Sequence, residues 1–199
     1  MTMIGKHLRP AVVLTLLLCA ITGLVYPGMV TGLAQLLFPR QANGSLIRLN
    51  GNVVGSELIG QSFSAPFYFH SRPSAAGSGY DATASGGTNK GPTDRKLADT
   101  LIAQAVDSLV SNDGAKKGQI PSDLVTSSAS GLDPHISPAS AALQVARVAR
   151  ERSADPQAVQ ALVDRHTEGR QFGILGDPRV NVLLLNIALD SAFPRPSPR

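Results

Sequence analysis

Residues 11–37 read AVVLTLLLCAITGLVYPGMVTGLAQLL, an unbroken apolar and uncharged run. Between Arg9 and Arg40 the only ionisable side chains are the Cys19 thiol and the Tyr26 phenol, both neutral at pH 7. About 20 helical residues rising ~1.5 Å each cross the ~30 Å hydrocarbon core of a bilayer. Ala11–Val30 has that length and carries ten Leu, Ile or Val side chains. Each favours insertion by roughly 0.3–0.6 kcal/mol, whereas one central lysine would oppose it by about 3. The run predicts a single transmembrane helix over 11–31, anchored by Leu14, Leu17, Ile21, Leu24 and Tyr26, behind a short N-terminus, 1–10. A cleaved signal peptide is the other reading of such a run. Its apolar region, however, spans roughly 7–15 residues and ends at a small-residue site. Here the run continues past Tyr26-Pro27-Gly28 to Phe38 without one.

Charge orients the helix. Lys6, Arg9 and the α-amine precede it with no acid, and cytoplasmic flanks concentrate Lys and Arg. The N-terminus is expected in the cytoplasm and nearly everything after Phe38 outside. The first acidic residue is Glu57, preceded by Lys6, Arg9, Arg40 and Arg48, which account for the whole net charge of +4. The soluble part is neutral, with neither a basic stripe nor available aromatics, which argues against nucleic acid as a partner. Cys19, the single cysteine, lies in the apolar run, so the outer domain forms no disulfide and holds together by packing.

Residues 32–44 read as a juxtamembrane linker, 45–192 as one domain large enough to bury a core, and 193–199 as a disordered tail. Asn50-Gly51, between apolar segments 45–49 and 53–59, is a strong hairpin signal because both residues tolerate positive φ. Phe67-Tyr68-Phe69 reads as a third strand. Residues 71–92, dominated by Ser, Gly, Ala, Thr and Pro, read as a long loop, and long loops in compact domains are usually functional. Apolar positions 97, 101, 105 and 109 predict a helix over 93–110. Ser137-Pro138, Asp155-Pro156 and Asp177-Pro178 each set a capping oxygen before a proline that suits the first helical position. They predict helices over 138–152, 156–167 and 178–190. The expected fold is a single N-terminal transmembrane helix followed by one extracytoplasmic α+β domain with a small sheet and about four helices.

No catalytic constellation emerges. Gly86-Gly87-Thr88-Asn89-Lys90-Gly91 lacks the Lys-Ser/Thr step of a phosphate loop. Asp133, His135 and His166 offer parts of a hydrolase triad, but no Gly-x-Ser-x-Gly elbow presents a nucleophile; a capped turn at Asp133 and surface histidines are the simpler reading. The four histidines are too scattered for metal-ligand spacing. The chain reads as an anchored module that works by contact.

Seven segments occur in a familiar order: Tyr26-Pro27; 58–63, LIGQSF; 68–74, YFHSRPS; 84–89, ASGGTN; 124–133, LVTSSASGLD; 144–149, QVARVA; and 180–186, VNVLLLN. Together they resemble the C-subunit (KdpC) family of the bacterial Kdp potassium-transporting P-type ATPase, with Thr88 standing where the family has Ser. The resemblance implies a single-pass, non-catalytic accessory subunit of the inner membrane. Such a subunit stabilises the assembly of the catalytic P-type subunit with the channel-like K⁺-binding subunit and a small single-span subunit. It would assist ATP use or the access of K⁺ within a complex that uses ATP, Mg²⁺ and K⁺, with no cofactor or metal held by this chain itself. The family also suggests a nucleotide role for Gln61, which conflicts with an extracytoplasmic domain. The other reading is that Gly60-Gln61 ends the second hairpin strand and its amide bonds to backbone. The loop 71–92, with Arg72, Ser85, Gly86, Gly87 and Asn89, is the expected partner interface. The alternative to a pump subunit is a membrane-tethered extracytoplasmic binding module or hydrolase.

Overall fold

The computed structural model describes residues 3–195, with side chains from Gly5 onward. The chain divides into two compact units at Leu46, and each is taken by itself.

In the first unit, α1 (Met3–Ala20), a π-helical turn (Ile21–Val25) and α2 (Tyr26–Leu37) form a helix without interruption. Gly5–Leu37 is 33 residues long and apolar enough to cross a membrane, with none of its apolar window buried within the protein. Residues 32–37, expected in the linker, are therefore helical. The π turn has a local cause. Pro27 has no amide hydrogen to donate within the ladder. The preceding turn opens so that Tyr26 N–H donates to the Ile21 carbonyl five residues back. One further turn, α3 (Pro39–Ala42), precedes Ser45.

The second unit begins with the predicted hairpin, β1 (Leu46–Leu49) paired with β2 (Asn52–Ser56). Asn50 and Gly51 have φ of 51° and 83°, the two positive angles that a type I′ turn requires. The next helix opens as a π-helical segment, Lys96–Ile102, and continues as α4 (Ala103–Asp113), stopped by Gly114 in the left-handed region. Then come β3 (His135–Ile136), α5 (Pro138–Glu151), α6 (Pro156–Arg165), β4 (Thr167–Glu168), β5 (Arg179–Asn181) and α7 (Val182–Ala192). Strand β5 lies between β3 and β4, antiparallel to both, with Val180 facing Ile136 on one side and Thr167 on the other. Phe69, Ile136, Val148, Val159, Val163, Val180, Leu185 and Leu189 form the core between this sheet and the last three helices.

Two of the three proline caps hold. Ser137 accepts from Ser140 N–H and Asp155 from Gln157 N–H, starting α5 and α6 as expected. The third is a correction. Asp177-Pro178 leads into β5, and the helix starts only after Asn181, whose side chain accepts from Leu184 N–H. A second correction concerns Phe67–Phe69, which is no strand: its backbone bonds to side chains rather than to a neighbouring strand. Of the expected tail, Phe193 packs against the core and Arg195 pairs with Asp190 at 2.5 Å; residues 196–199 lie outside the described residues.

Candidate functional site

Four of the motif segments, separate in sequence, close on one another. Gly60 N–H donates to the Leu132 carbonyl at 2.8 Å, and a Cβ on Gly60 would stand 2.6 Å from the Asp133 carbonyl oxygen. Gly86 N–H and the Ser85 hydroxyl both donate to the Ser130 carbonyl, at 2.9 and 3.0 Å. The Ser74 hydroxyl donates to the Gly131 carbonyl at 2.6 Å. Gly131 has φ of 67°, and a Cβ there would meet the Gly86 oxygen at 2.6 Å and Ala76 nitrogen at 2.7 Å. Glycine is required by both conformation and space.

Arg72 joins this network. Its guanidinium donates to Asp133 at 2.9 Å, and the Tyr80 hydroxyl donates to the Arg72 carbonyl. Burial alone would push the Asp133 carboxyl up. Hydrogen bonds from the His135 ring and backbone, together with the Arg72 guanidinium, outweigh it and bring the group down to about 2. Arg72, Asp133 and His135 line an open cavity of about 500 Å³ with Asp123, Ser137 and Arg179. No hydrogen bond joins the His135 imidazole to a serine hydroxyl among the described residues. Asp133 instead caps its own turn by accepting from His135 N–H at 3.0 Å.

Of the expected interface residues, Arg72, Ser85, Gly86 and Gly87 thus meet at one seam, where the loop 71–92 is laced to residues 128–133. Asn89 is exposed, with φ of 54°, beside a second cavity of about 390 Å³ lined by Thr88, Lys90, Ser127 and Ser128. Gln61 lies beyond the end of β2, and its amide donates to the Val54 carbonyl at 3.2 Å. The side chain lies over Gly55, where a Cβ would stand 2.1 Å from the Gln61 amide nitrogen. The expected anchor residues Leu14, Leu17, Ile21, Leu24 and Tyr26 are all exposed on the long helix.

Sequence reading missed a buried polar layer around residues 66–70. The Gln144 amide brackets His70, accepting from its N–H at 2.7 Å and donating to its carbonyl at 3.1 Å. Asn186 does the same to Phe69, at 2.9 and 3.0 Å. Arg147 donates to the carbonyls of Pro66 and Tyr68 and to Asp113, the last at 2.7 Å, with both charged side chains 2% exposed. Arg152 donates to the Phe67 carbonyl at 2.9 Å, and its guanidinium lies 5.1 Å from the Tyr68 ring centre. Five consecutive carbonyls, 66–70, are each bonded by a side chain of α5 or α7 or by Arg152 just beyond α5. The available signal was polar residues on otherwise apolar helix faces, Gln144 and Arg147 three apart on α5 and Asn186 on α7.

The comparisons bear on these same segments. Residues 8–191 match the family model described as KdpC, the c chain of K⁺-transporting ATPase. The chain is 66% identical over 187 residues, 94% of its length and 93% of the relative's, to the potassium-transporting ATPase KdpC subunit of Gemmatimonas aurantiaca. It is 55% identical over 194 residues to that of Koribacter versatilis, covering 98% and 99%, and 56% identical over 189 residues to that of Rhodospirillum rubrum, covering 95% and 97%.

Proposed function

Because this chain belongs to the KdpC family and is thus a subunit of a K⁺-transporting ATPase complex, we propose that it serves there as a non-catalytic accessory subunit. The match over 8–191 carries this reading, since it covers anchor and domain together. In this reading the chain stabilises the docking of the catalytic P-type subunit on the channel-like K⁺-binding subunit, beside a small single-span subunit. ATP, Mg²⁺ and K⁺ are handled by those partners.

The Gly5–Leu37 helix is the membrane anchor, supported by its exposed apolar surface. Lys6 and Arg9 favour a cytoplasmic N-terminus, which sets the domain outside the inner membrane. Gln61 then serves the hairpin rather than a nucleotide, in keeping with its bond to the Val54 carbonyl. The seam that holds Arg72, Ser85, Gly86 and Gly87, with Asn89 beside it, is the surface offered to the channel-like subunit.

Purification of the tagged chain in mild detergent, from membranes grown under potassium limitation, tests this. A P-type ATPase subunit and a channel-like subunit are expected to co-purify with K⁺-stimulated ATPase activity. Recovery of the chain alone would overturn the reading and bring forward the tethered module.

A further inference from the structure

Between β4 and β5 the chain projects a small apolar tip. Phe172 is 86%, Ile174 75% and Leu175 55% exposed, an unusual concentration for three of four consecutive positions. The tip is tightly built. Gln171 and Leu175 exchange backbone hydrogen bonds at 2.8 and 2.9 Å, and Gly173 N–H donates to the Arg170 carbonyl at 3.0 Å. An Arg170–Asp177 ion pair of 2.9 Å spans its base. Phe172 has φ of 54°, a left-handed conformation that is strained for a bulky aromatic residue. The fold thus keeps an aromatic side chain in water, at a conformational cost, on a turn stiffened by its own hydrogen bonds. Pre-ordered exposed aromatics of this kind are what anchor protein interfaces, because little freedom is left to lose on docking.

Charge decides the class of partner. Segments that lie in a lipid interface are rich in Lys and Arg on the polar face beside their apolar one, and gain from attraction to anionic lipids. Residues 168–179 hold two arginines and two acids, and the cations are matched: Arg170 with Asp177, and Arg179 with Glu168 at 2.9 Å. The tip presents no net charge to anionic headgroups and suits an uncharged apolar socket in a protein.

We propose that the tip Phe172–Leu175 is an anchor that inserts into an apolar socket on another subunit of the same K⁺-transporting ATPase complex. This rests on the accessory-subunit reading. Phe172 supplies most of the contact area, Ile174 and Leu175 flank it, and the Arg170–Asp177 pair forms a polar rim.

The test uses the full chain expressed with its complex. Benzophenone-alanine is introduced at position 172, and at exposed position 157 on α6 as a background control. Irradiation is expected to join position 172 to a protein subunit of the complex. A cross-link from 172 to lipid alone, to a second copy of this chain, or to nothing, while the complex still co-purifies, overturns this inference and leaves the accessory reading intact. Failure to co-purify at all removes both. In parallel, Phe172→Gly with Leu175→Ser is expected to lower the share of the chain retained on the complex by roughly tenfold or more after extended washing. Its thermal unfolding midpoint should not fall. Unchanged retention would overturn the proposal even if a cross-link formed.

Discussion

Two regions of the domain invert the usual rule of apolar inside and polar outside, in opposite directions. Around residues 66–70, Gln144, Arg147 and Asn186 are buried. Around residues 172–175, a phenylalanine, an isoleucine and a leucine are left in water. The first inversion is complete within the chain, since backbone polar groups of 66–70 are met by those buried side chains and by Arg152. The second has no counterpart among the described residues. A buried polar group with full partners is a structural device, whereas an exposed apolar anchor without one implies something outside the chain.

Breaking the first region should produce the largest effect of any single change. Arg147→Ala removes one half of a buried ion pair and leaves Asp113 uncompensated, together with the carbonyls of Pro66 and Tyr68. A loss of roughly 3–5 kcal/mol is expected, readable as a large fall in the thermal or urea midpoint. A loss under ~1 kcal/mol would show that water readily replaces the side chain. Next in size is Gly131→Ala, at roughly 2–4 kcal/mol, because a Cβ would strike backbone atoms of both Gly86 and Ala76 in a left-handed residue. That change opens the motif seam while sparing the buried amides. Asn186→Leu, which orphans both backbone groups of Phe69, should cost about 1–3 kcal/mol. If it were neutral, residues 66–70 would be held by packing rather than by hydrogen bonds.

How legible these regions were in the sequence depends on the range of the forces involved. The long helix was readable because insertion depends on composition alone, and the Asn50-Gly51 turn because φ preference is a property of each residue. The caps at Ser137 and Asp155 act within three residues, so they too were visible. Phe67–Phe69 was misread because its aromatic run mimics a strand, while its side-chain partners stand 79 to 117 positions away along the chain. Asp177-Pro178 was misread because the local signal for a helix start was real, but pairing of β5 with β3 and β4 delayed the helix to Asn181. For the candidate site, the composition of 71–92 places residues 72 and 85–87 in one irregular stretch. Their attachment to residues 128–133 was invisible, since no local rule joins two irregular segments. The tip at 172–175 was overlooked because three apolar residues between turn glycines look like any short buried segment.

Acid should weaken the buried layer and the motif seam in turn. Burial, reinforced by the Arg147 charge, holds the His70 imidazole below its ordinary value, so the folded state resists the proton that the unfolded chain accepts. Its contribution is present above ~6.5 and declines as pH falls below that. The Asp133 carboxyl, brought down to about 2, contributes fully above its unfolded value near 4 and is lost as pH falls through its folded one. With its side chain partly exposed, that second contribution is worth roughly 1–2 kcal/mol. The thermal midpoint is expected to drop in two stages, one below pH 6.5 and one between about pH 4 and 2. Asp133→Asn should shrink the lower stage, to which the Arg152- and Arg195-paired Asp190 also contributes, and leave the upper. An undiminished lower stage in that variant would assign it to Asp190 and other carboxylates.

The smallest expected effect on stability is also the sharpest contrast. Phe172→Gly removes a large side chain, yet that side chain touches little of its own fold and sits at φ of 54°. Glycine adopts that angle freely, although it also loosens the unfolded chain; for a position held at positive φ the strain relief prevails. The midpoint should hold or rise, by up to about 1 kcal/mol of stability. A loss of more than ~1 kcal/mol would mean that Phe172 packs on its own domain in solution, and the contrast between the two regions would collapse. If stability is kept, the cost of retaining a phenylalanine in that conformation cannot be traced to the fold of the isolated chain, and the buried amides and the exposed tip answer to different demands: one to the domain, the other to what docks on it.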